Sequence, residues 1–226
     1  MDATFRDRAV YLPASDALVC ADLHLGRAAS APLALPVDER APERLDALLS
    51  RFAPSEVVLA GDVLHAFDRV PEGTPATVER LDALVERAGA RLVVVSGNHD
   101  TMLDAVWDGP VRSTHRLGET VVCHGHESPD TEAERYVLGH DHPTIEIEGQ
   151  RRPCYLHGSG VYRGDDVLVL PAFSRLAAGC TVNGMRADEF QSPLVTDADA
   201  LRPIVRDEAA EETLWFPPLD AFRRLL

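Results

Sequence analysis

Five short apolar runs in this chain of 226 residues each end in a cluster of polar residues of the metal-ligand type. The first run, residues 17–21, is followed at once by Asp22 and His24. The other four clusters are Gly61-Asp62, Gly97-Asn98-His99-Asp100, His124-Gly125-His126 and Gly139-His140-Asp141-His142. Short apolar runs bounded by turn residues predict buried β-strands. Because ligands bind at the carboxyl ends of the strands in open α/β sheets, we expect the five clusters to converge on one crevice.

Helical patterns separate the first three runs. Apolar residues lie at i, i+3, i+4 and i+7 from Leu45, and a second helical pattern surrounds Leu81. Alternation of strand and helix predicts right-handed parallel units in the first half, and the strand-rich second half predicts a second sheet. We therefore expect an α/β fold, a four-layer αββα sandwich in which two mixed sheets face each other with helices outside. Without a linker or repeat, residues 1–226 are predicted to form a single domain, and the charged residues 207–212 to start an exposed helix.

The composition is that of an acidic, halophile-like protein. The formal net charge is −15, and all 22 basic residues are arginine. An acidic surface repels polyanions in dilute buffer, which argues against a nucleic-acid substrate. Adaptation to a salty cytoplasm is a second explanation, because salt screens that repulsion and an acidic surface keeps the protein soluble. Net charge therefore decides little about the substrate.

The sequence contains neither a membrane-span pattern nor an export signal. No window approaches the roughly 20 apolar residues that a transmembrane helix needs. The first 20 residues lack a long apolar stretch followed by a cleavage site. The four cysteines are far apart and form no CxxC pair, so we expect reduced thiols rather than disulfides or a zinc ribbon. These features predict a cytoplasmic protein.

The polar clusters contain six of the nine histidines, together with carboxylates and one asparagine. Carboxylate, amide oxygen and imidazole without thiolate suit Mn²⁺, Fe²⁺ or Zn²⁺. One ion cannot bind so many ligands, whereas a carboxylate can bridge two ions about 3.5–4 Å apart, the arrangement that activates a water and neutralises phosphate oxygens. Glycines directly before Asp62, Asn98 and His140 allow tight turns and close approach. The pattern predicts a dimetal site that acts on phosphate esters.

In order and spacing, the five clusters resemble the pattern of the calcineurin-like metallophosphoesterases. A single DxH or GHxH block is common by chance, but five blocks in order are a specific signal. The resemblance implies that Asp62 bridges two metal ions and that His99 is a catalytic residue, which stabilises the transition state or protonates the leaving oxygen. The implied ligands of the first metal are Asp22, His24 and His142, and those of the second are Asn98, His124 and His140. The metal expected by resemblance is Mn²⁺, with Fe²⁺, Zn²⁺ or Ni²⁺ as alternatives that depend on availability.

The residue at position 65 indicates which class of phosphate ester is the substrate. Histidine stands three residues after Asp62, where protein phosphatases of the superfamily have aspartate. The nuclease of the double-strand-break repair complex has the same Gly-Asp-x-x-His arrangement. The resemblance therefore implies a catalytic role for His65 and favours phosphodiester substrates.

Further segments resemble the ligase-associated, ICC-like branch of the superfamily. They are residues 21–27, His142-Pro143 and Leu170-Pro171-Ala172-Phe173. Bacterial members of that branch are described as DNA-damage-response endonucleases placed near repair helicases and ligases, so the resemblance implies a single-stranded DNA or RNA substrate and a helicase or ligase partner. Arg27 stands where the branch often has lysine, and is either a phosphate contact or a surface charge. His126 is open between an orienting group, a substrate contact and a solvated turn residue.

The expected reaction is attack of a metal-activated hydroxide on phosphorus, in line with the leaving oxygen, with charge neutralised by both ions and His99. Two alternatives remain. One is a small-molecule phosphatase or cyclic-nucleotide phosphodiesterase on the same fold. The other is a non-catalytic repair scaffold, which degenerate metal blocks would favour.

Two smaller expectations concern single residues. Asp100 is predicted to cap the short helix after it. Residues 171–173 are predicted to form a strand-end turn, with Phe173 as a candidate for stacking on a base.

Overall fold

The computed structural model describes residues 1–27, 40–66 and 68–224. The first half builds a six-stranded sheet in which sequence order equals spatial order. Its strands are β1 (Thr4–Arg6), β2 (Ala9–Leu12), β3 (Ala17–Cys20), β4 (Glu56–Ala60), β5 (Arg91–Val95) and β6 (Val111–Arg112). Strands β3 to β6 run parallel, and β1 and β2 add an antiparallel edge. Helices α1 (Arg40–Phe52) and α2 (Thr74–Arg87) lie between β3 and β4 and between β4 and β5 in the chain.

The second half builds a seven-stranded sheet and a smaller three-stranded one. The large sheet contains β7 (Thr114–Leu117), β8 (Thr120–Cys123), β9 (Arg135–Leu138), β12 (Tyr155–Tyr162), β13 (Asp165–Val169), β15 (Arg202–Asp207) and β16 (Glu212–Trp215). Its spatial order is β16-β15-β12-β13-β9-β8-β7, with β8, β9 and β13 parallel. The small sheet pairs β10 (Pro143–Ile147) with β11 (Gln150–Pro153) and β14 (Cys180–Thr181). One short helix, α3 (Leu219–Phe222), lies near the end of the chain.

Alternation along the strands explains why the two large sheets stack. On β3, Leu18 and Cys20 pack against α1 and α2, whereas Val19 points into the layer between the sheets. Val122 on β8 and Leu168 on β13 enter that layer from the second sheet. A strand with apolar residues on both faces must be covered on both sides. Helices cover one face of β3 and the second sheet covers the other, which explains the near-continuous apolar runs of the sequence.

The outer layer over the second sheet differs from the expected one. Its apolar residues come mainly from irregular chain, including Phe190, Leu194 and Leu201, with α3 supplying Leu219 and Phe222. This part of the sequence lacks a 3.6-residue apolar period, so it covers the sheet without forming a long helix. The layer order expected for the sandwich holds, but its fourth layer contains little regular helix among the described residues.

The prediction of an exposed helix at residues 207–212 is wrong, because this segment is the turn of a β-hairpin. Strands β15 and β16 pair antiparallel on either side of it, with Val205 opposite Leu214. Asp207 Oδ1 accepts the backbone N–H groups of Ala209 and Ala210, each at 3.0 Å. An aspartate that bonds the backbone just ahead of it favours a turn over a helix. Separately, no helix within the described ranges is long and apolar enough to cross a membrane.

Candidate dimetal active site

All five polar clusters lie directly beyond the carboxyl ends of strands β3, β4, β5, β8 and β9. Backbone hydrogen bonds join neighbouring loops, since Asp22 N donates to Gly61 O at 3.1 Å and His24 N donates to Asp62 O at 2.9 Å. The first three loops come from one large sheet and the last two from the other. The predicted convergence on one crevice is therefore seen, and the crevice lies where the two sheets meet.

The three residues assigned to the first metal form one compact group. Ligand atoms of Asp22, His24 and His142 all lie within 4.8 Å of one another. His142 Nε2 is 3.2 Å from Asp22 Oδ1 and 3.1 Å from His24 Nε2. Two ring nitrogens and a carboxylate oxygen that face each other at these distances form a set of donors suited to one cation.

The residues assigned to the second metal gather around His124. Its Nε2 lies 3.0 Å from Asn98 Oδ1, 3.1 Å from His140 Nδ1 and 3.4 Å from Asp62 Oδ1. The other oxygen of Asp62, Oδ2, lies 4.0 Å from Nε2 of His24 in the first group. The two carboxylate oxygens of Asp62 thus face different groups, which is the placement that a bridging ligand needs.

Five of the seven residues have a left-handed backbone: Asp22 (φ 58°), His24 (φ 48°), Asp62 (φ 49°), His140 (φ 69°) and His142 (φ 46°). This region costs non-glycine residues on the order of 1–3 kcal/mol each, and such strain clusters at functional sites. Here it turns the chain sharply after each strand, so that residues two apart, such as His140 and His142, both reach the crevice.

Glycines next to these residues make room for side chains from other loops. A Cβ at Gly61 would lie 2.4 Å from His124 Nδ1, and one at Gly139 would lie 2.3 Å from Asp22 Oδ2. A Cβ at Gly97 would lie 2.1 Å from Asp62 Oδ1. The glycines were expected to allow close approach of the substrate, but here the space beside them is filled by the metal-ligand candidates themselves, which pack directly over the glycine backbone.

Burial dominates the electrostatics of the site. Burial and the neighbouring Asp22 carboxylate raise the pKa of Asp62 to about 8. Burial lowers the pKa of His24 to about 3, and burial together with His124 lowers the pKa of His140 to about 4. Burial alone would raise the pKa of Asp22, but His142 and the other imidazoles outweigh it and lower that pKa. Burial alone would also lower the pKa of His142, but the Asp22 carboxylate outweighs it and raises that pKa. The site therefore combines neutral His24 and His140 with two acidic side chains, Asp22 and Asp62, that disfavour each other's ionisation.

This set of residues fits divalent cations. Asp22 Oδ1 is fully buried, and its contact with His142 Nε2 at 3.2 Å lacks good hydrogen-bond geometry. A buried carboxylate oxygen without a well-aligned donor is costly unless a cation satisfies it. All side chains offered are carboxylate, amide or imidazole, the chemistry that divalent ions such as Mn²⁺ accept.

His65 and His99 stand side by side next to the first group. Their rings are stacked with centroids 5.4 Å apart and an interplanar angle of 17°, and each ring lies 5.4 Å from that of His24. His99 Nε2 is 3.9 Å from Asp62 Oδ2, while a quarter of its side chain remains exposed. Burial lowers the pKa of both histidines. Ligand atoms of His24, His65 and His99 also lie within 4.8 Å of one another, a grouping that the sequence did not suggest.

The two residues left open by the sequence both lie at the site. The His126 ring is 5.2 Å from that of His124, and its Nε2 is 3.4 Å from Glu127 Oε1. Burial, and after it the charge of Arg27, lower the pKa of His65, so Arg27 is close enough to add positive charge to this region. His126 belongs to none of the three groups, and neither does the predicted ligand His140, so the role of His126 stays open.

Two aspartates that the sequence analysis did not assign to the site hold its loops. Asp100 accepts the N–H of Leu64 at 2.9 Å and that of Gly97 at 2.8 Å, which ties the Asp62 loop to the Asn98 loop. The expected role of Asp100 as a helix cap is therefore wrong: the short helix begins at Leu103 without a side-chain cap. Asp141 is buried and accepts the N–H of Gln191 at 2.7 Å, and burial raises its pKa to about 6. Both follow a predicted site residue directly in sequence, a signal that could have marked them.

Residues 171–173 were expected to form a strand-end turn rather than a substrate platform; they do follow the end of β13, and Phe173 is too buried to stack on a base. Phe173 is 1% exposed, and the Arg44 guanidinium lies 3.9 Å from its ring centroid. Its backbone N–H donates to Ala21 O, and Ser174 N donates to Asp22 O. The segment around Phe173 therefore supports the Asp22 loop through these two backbone hydrogen bonds.

Comparisons with known proteins agree with this geometry. The model of the calcineurin-like phosphoesterase family matches residues 16–174. The chain therefore belongs to the calcineurin-like phosphoesterases, and its sandwich fold is that of the family. As a member it is a metallophosphoesterase, a hydrolase that acts on phosphoester bonds.

Among solved structures, a nuclease MPE from Pseudomonas putida is similar at 26% sequence identity, with a TM-score of 0.61 and 88% of each chain covered. Yfce, a phosphoesterase from E. coli, is similar at 18% identity, with a TM-score of 0.45, covering 88% of this chain and 96% of its own. A comparison with curated proteins finds no match.

Proposed function

We propose that this protein is a dinuclear metal-dependent phosphodiesterase that cleaves nucleic-acid strands. The observation that carries the proposal is the group of Asp22, Asp62 and His124, which joins the ligands assigned to the first metal to those assigned to the second, with the stacked pair His65 and His99 nearby. Similarity to a nuclease at 26% identity over 88% of both chains supports the choice of a nucleic-acid substrate.

In this proposal Asp22, His24 and His142 would hold the first metal, Asn98, His124 and His140 would hold the second, and Asp62 would be shared between them. When bound, the two ions supply a water of lowered pKa and neutralise phosphate oxygens. Mn²⁺ is the proposed metal. A repair helicase or ligase as a partner remains part of the proposal and follows from the branch resemblance alone.

The roles of the two stacked histidines differ in the proposal. His99 stands at the mouth of the site with part of its ring exposed, so it can reach the leaving oxygen of a bound ester and stabilise or protonate it. His65 stacks on His99, and its ring also lies 5.4 Å from that of His24, so in the proposal it positions the second ester substituent. A monoester lacks that substituent, which makes His65 the residue expected to separate the two substrate classes.

The test compares bis-p-nitrophenyl phosphate with p-nitrophenyl phosphate after chelator treatment and return of Mn²⁺ at high salt. We expect metal-dependent hydrolysis that favours the diester. His99→Ala should lower kcat by about 10²- to 10⁴-fold, the usual size of general-acid catalysis. His65→Asn should lower diester hydrolysis selectively.

His157→Asn is the matched control, because His157 lies on β12, where it pairs with Asp166 at 3.6 Å and faces Trp215. This variant should keep both activities. Equal loss of diester and monoester hydrolysis in His65→Asn would refute its selective role. A preference for the monoester in the unaltered protein would instead indicate a small-molecule phosphatase.

A further inference from the structure

The middle residues of the two His-x-His clusters lie against the same short segment of the outer layer, Gln191-Ser192. In the first cluster the middle residue is Gly125, and a Cβ at that position would lie 3.3 Å from Ser192 Oγ. In the second it is Asp141, whose Oδ1 accepts the N–H of Gln191 at 2.7 Å and whose Oδ2 accepts that of Ser192 at 3.3 Å. One segment of the outer layer thus supports both loops that the second sheet contributes to the site.

Residues 191–192 are themselves anchored on the second sheet. Phe190 before them and Leu194 after them are buried in the apolar cluster that covers this sheet. Ser192 Oγ accepts the N–H of Leu194 at 3.3 Å, and Ser192 O accepts that of Val195 at 3.2 Å, which closes a turn. Because this turn packs on the sheet, a loop that is bonded to it is fixed relative to the sheet.

Asp141 stands between one candidate ligand of each metal. His140 Nδ1 lies 3.1 Å from His124 Nε2 in the second group, and His142 Nε2 lies 3.2 Å from Asp22 Oδ1 in the first. The side chain of Asp141 is only 3% exposed and is hydrogen-bonded to the outer layer. A shift of this loop would therefore move a ligand of each metal at the same time.

The backbone of this loop needs such an anchor. His140 and His142 have left-handed φ values of 69° and 46°, which are uncommon for residues other than glycine. Such conformations persist only where the surrounding structure holds them. The two N–H groups bonded to the Asp141 carboxyl group supply this support, together with the bond from Asp141 N to Gly139 O at 2.9 Å.

We propose that Asp141 is a positioning residue, which holds the His140–His142 loop against residues 191–192 and so fixes the spacing between the two groups of metal-ligand candidates. The inference rests on the dimetal site of the function proposed above and adds the residue that sets its dimensions. Asp141 acts through the backbone on either side of it and is not itself a ligand. Replacing residues that orient metal ligands typically lowers metal affinity or activity about 10- to 100-fold.

The first test variant is Asp141→Asn, which keeps the shape of the side chain but offers only one oxygen to the two N–H groups. Calorimetric titration with Mn²⁺ should show both sites weakened about 10- to 100-fold, because a ligand of each metal moves. Two ions that share a carboxylate lie about 3.5–4 Å apart, so their spins are coupled. Electron paramagnetic resonance of the Mn²⁺-saturated variant should show an altered coupling. A role in folding alone would leave this signal unchanged in a variant that circular dichroism shows to be folded.

Gln191→Pro breaks the same contact from its other end, because proline lacks the N–H that Asp141 Oδ1 accepts. Phe190, with φ −75° and ψ 143°, already has the extended backbone that a residue before proline prefers. This variant leaves the charge near the ligands unchanged and should alter the coupling in the same way. Adding it to Asp141→Asn should have little further effect, since both remove one interaction. An unaltered signal in Gln191→Pro would show that the charge of Asp141 acts instead, and would overturn the proposal.

Asp197→Asn is the matched control. Asp197 also accepts two backbone N–H groups, those of Asp199 at 3.0 Å and Ala200 at 3.3 Å, in a turn of the outer layer. This variant should keep both Mn²⁺ affinities and the coupled signal. Equal changes in Asp197→Asn and Asp141→Asn would overturn the proposal, because any weakening of the outer layer would then have the same effect.

The remaining outcomes separate this proposal from the proposed function. Retention of both affinities and of the coupled signal in Asp141→Asn would overturn the positioning role, and so would the loss of one site alone. If the unaltered protein binds two coupled ions but hydrolyses neither ester, the proposed function fails while the resonance comparison still decides the role of Asp141. If it binds fewer than two ions, the dimetal site is refuted and the positioning role with it.

Discussion

Gly97 illustrates how tightly single residues are constrained at this site. The space that a Cβ would occupy at position 97 is filled by Asp62, whose Oδ1 would lie 2.1 Å away and whose backbone N would lie 2.3 Å away. The same Oδ1 accepts the N–H of His99 at 2.9 Å. Any side chain at position 97 must therefore move both the candidate bridging carboxylate and the backbone of the candidate catalytic histidine.

Gly97→Ala should weaken metal binding about 10- to 100-fold, the usual effect of disturbing residues that orient metal ligands. The measurement is a Mn²⁺ titration followed by calorimetry and by activity. Gly184→Ala is the control, because nothing lies within 4 Å of a Cβ at that position. Unchanged Mn²⁺ affinity in Gly97→Ala would show that Asp62 is not held in place by this contact.

The types and loop positions of the candidate ligands could be predicted from sequence, because each follows directly on an apolar strand. Their supporting contacts could not. Asp100 bonds Leu64 across 36 positions in the chain, Asp141 bonds Gln191 across 50, and Arg44 bonds Phe173 across 129. Local periodicity carries no information about contacts at such separations, which depend on how the sheets stack.

At the scale of elements, Arg44 connects α1 to the segments that support the site. Its Nε and Nη2 donate to the side chain and backbone of Asp7 in the turn between β1 and β2, at 2.7 and 2.8 Å. Its Nη1 donates to Phe173 O at 2.6 Å. One side chain, only 7% exposed, thus joins a helix, a hairpin turn and the loop below Asp22.

Arg44→Ala should lower the free energy of unfolding by about 3 kcal/mol, because it removes the nearer of the two arginines that pair with Asp7 and also the donor to the carbonyl oxygens of Asp7 and Phe173. Urea unfolding measures the change. Arg80→Ala on α2 is the control, since the Arg80–Glu43 pair is more than half exposed on both sides and exposed pairs contribute about 0–1 kcal/mol.

The same interaction predicts a pH dependence. Burial alone would raise the pKa of Asp7, but Arg44 and Arg175 outweigh it and hold that pKa below its ordinary value of 3.8. A carboxyl with a lowered folded-state pKa stabilises the protein above its unfolded pKa and loses that contribution as pH falls through the folded value. As the pH falls below the ordinary aspartate pKa of 3.8, Arg44→Ala should therefore lose less stability than the unaltered protein. Parallel stability curves would contradict this account.

The element boundaries show where sequence reasoning works. Strands β4, β5 and β8 begin and end where the apolar runs do, because strands buried on both faces are nearly continuous apolar runs. Residues 207–212, which contain the turn of the β15–β16 hairpin, were predicted to start a helix instead. Asp207 and its charged neighbours form the turn. Acidic residues and alanine are also typical of an exposed helix start, so composition alone could not reveal that the flanking strands pair.

At the scale of the whole molecule, the site joins the two large sheets. Asp22, Asp62 and Asn98 follow strands of the first sheet, whereas His124 and His140 follow strands of the second. Ions bound between these residues would therefore link the two halves of the sandwich. They would also neutralise the repulsion between the Asp22 and Asp62 carboxylates.

Saturating Mn²⁺ should raise Tm by roughly 5–10 °C relative to chelator, because a ligand at 100 times its Kd stabilises the native state by about 2.7 kcal/mol. Differential scanning calorimetry measures the shift. Asp62→Asn should show a smaller Mn²⁺ shift without a lower Tm in chelator, since it removes both a ligand and a source of charge repulsion. A full Mn²⁺ shift in Asp62→Asn would contradict the bridging role.

The position of the site between two sheets has a consequence for how such a protein evolves. A displacement of about 1 Å between reacting groups can reduce a rate about 100-fold, far more than it alters stability. Substitutions at Val122 or Leu168, in the layer between the sheets, change how the sheets slide on each other. Genetic drift in that layer should thus be detected first as lost turnover in a well-folded protein. Natural selection for catalysis therefore also acts on the size of side chains between the sheets, such as Val122 and Leu168, although no substrate contacts them.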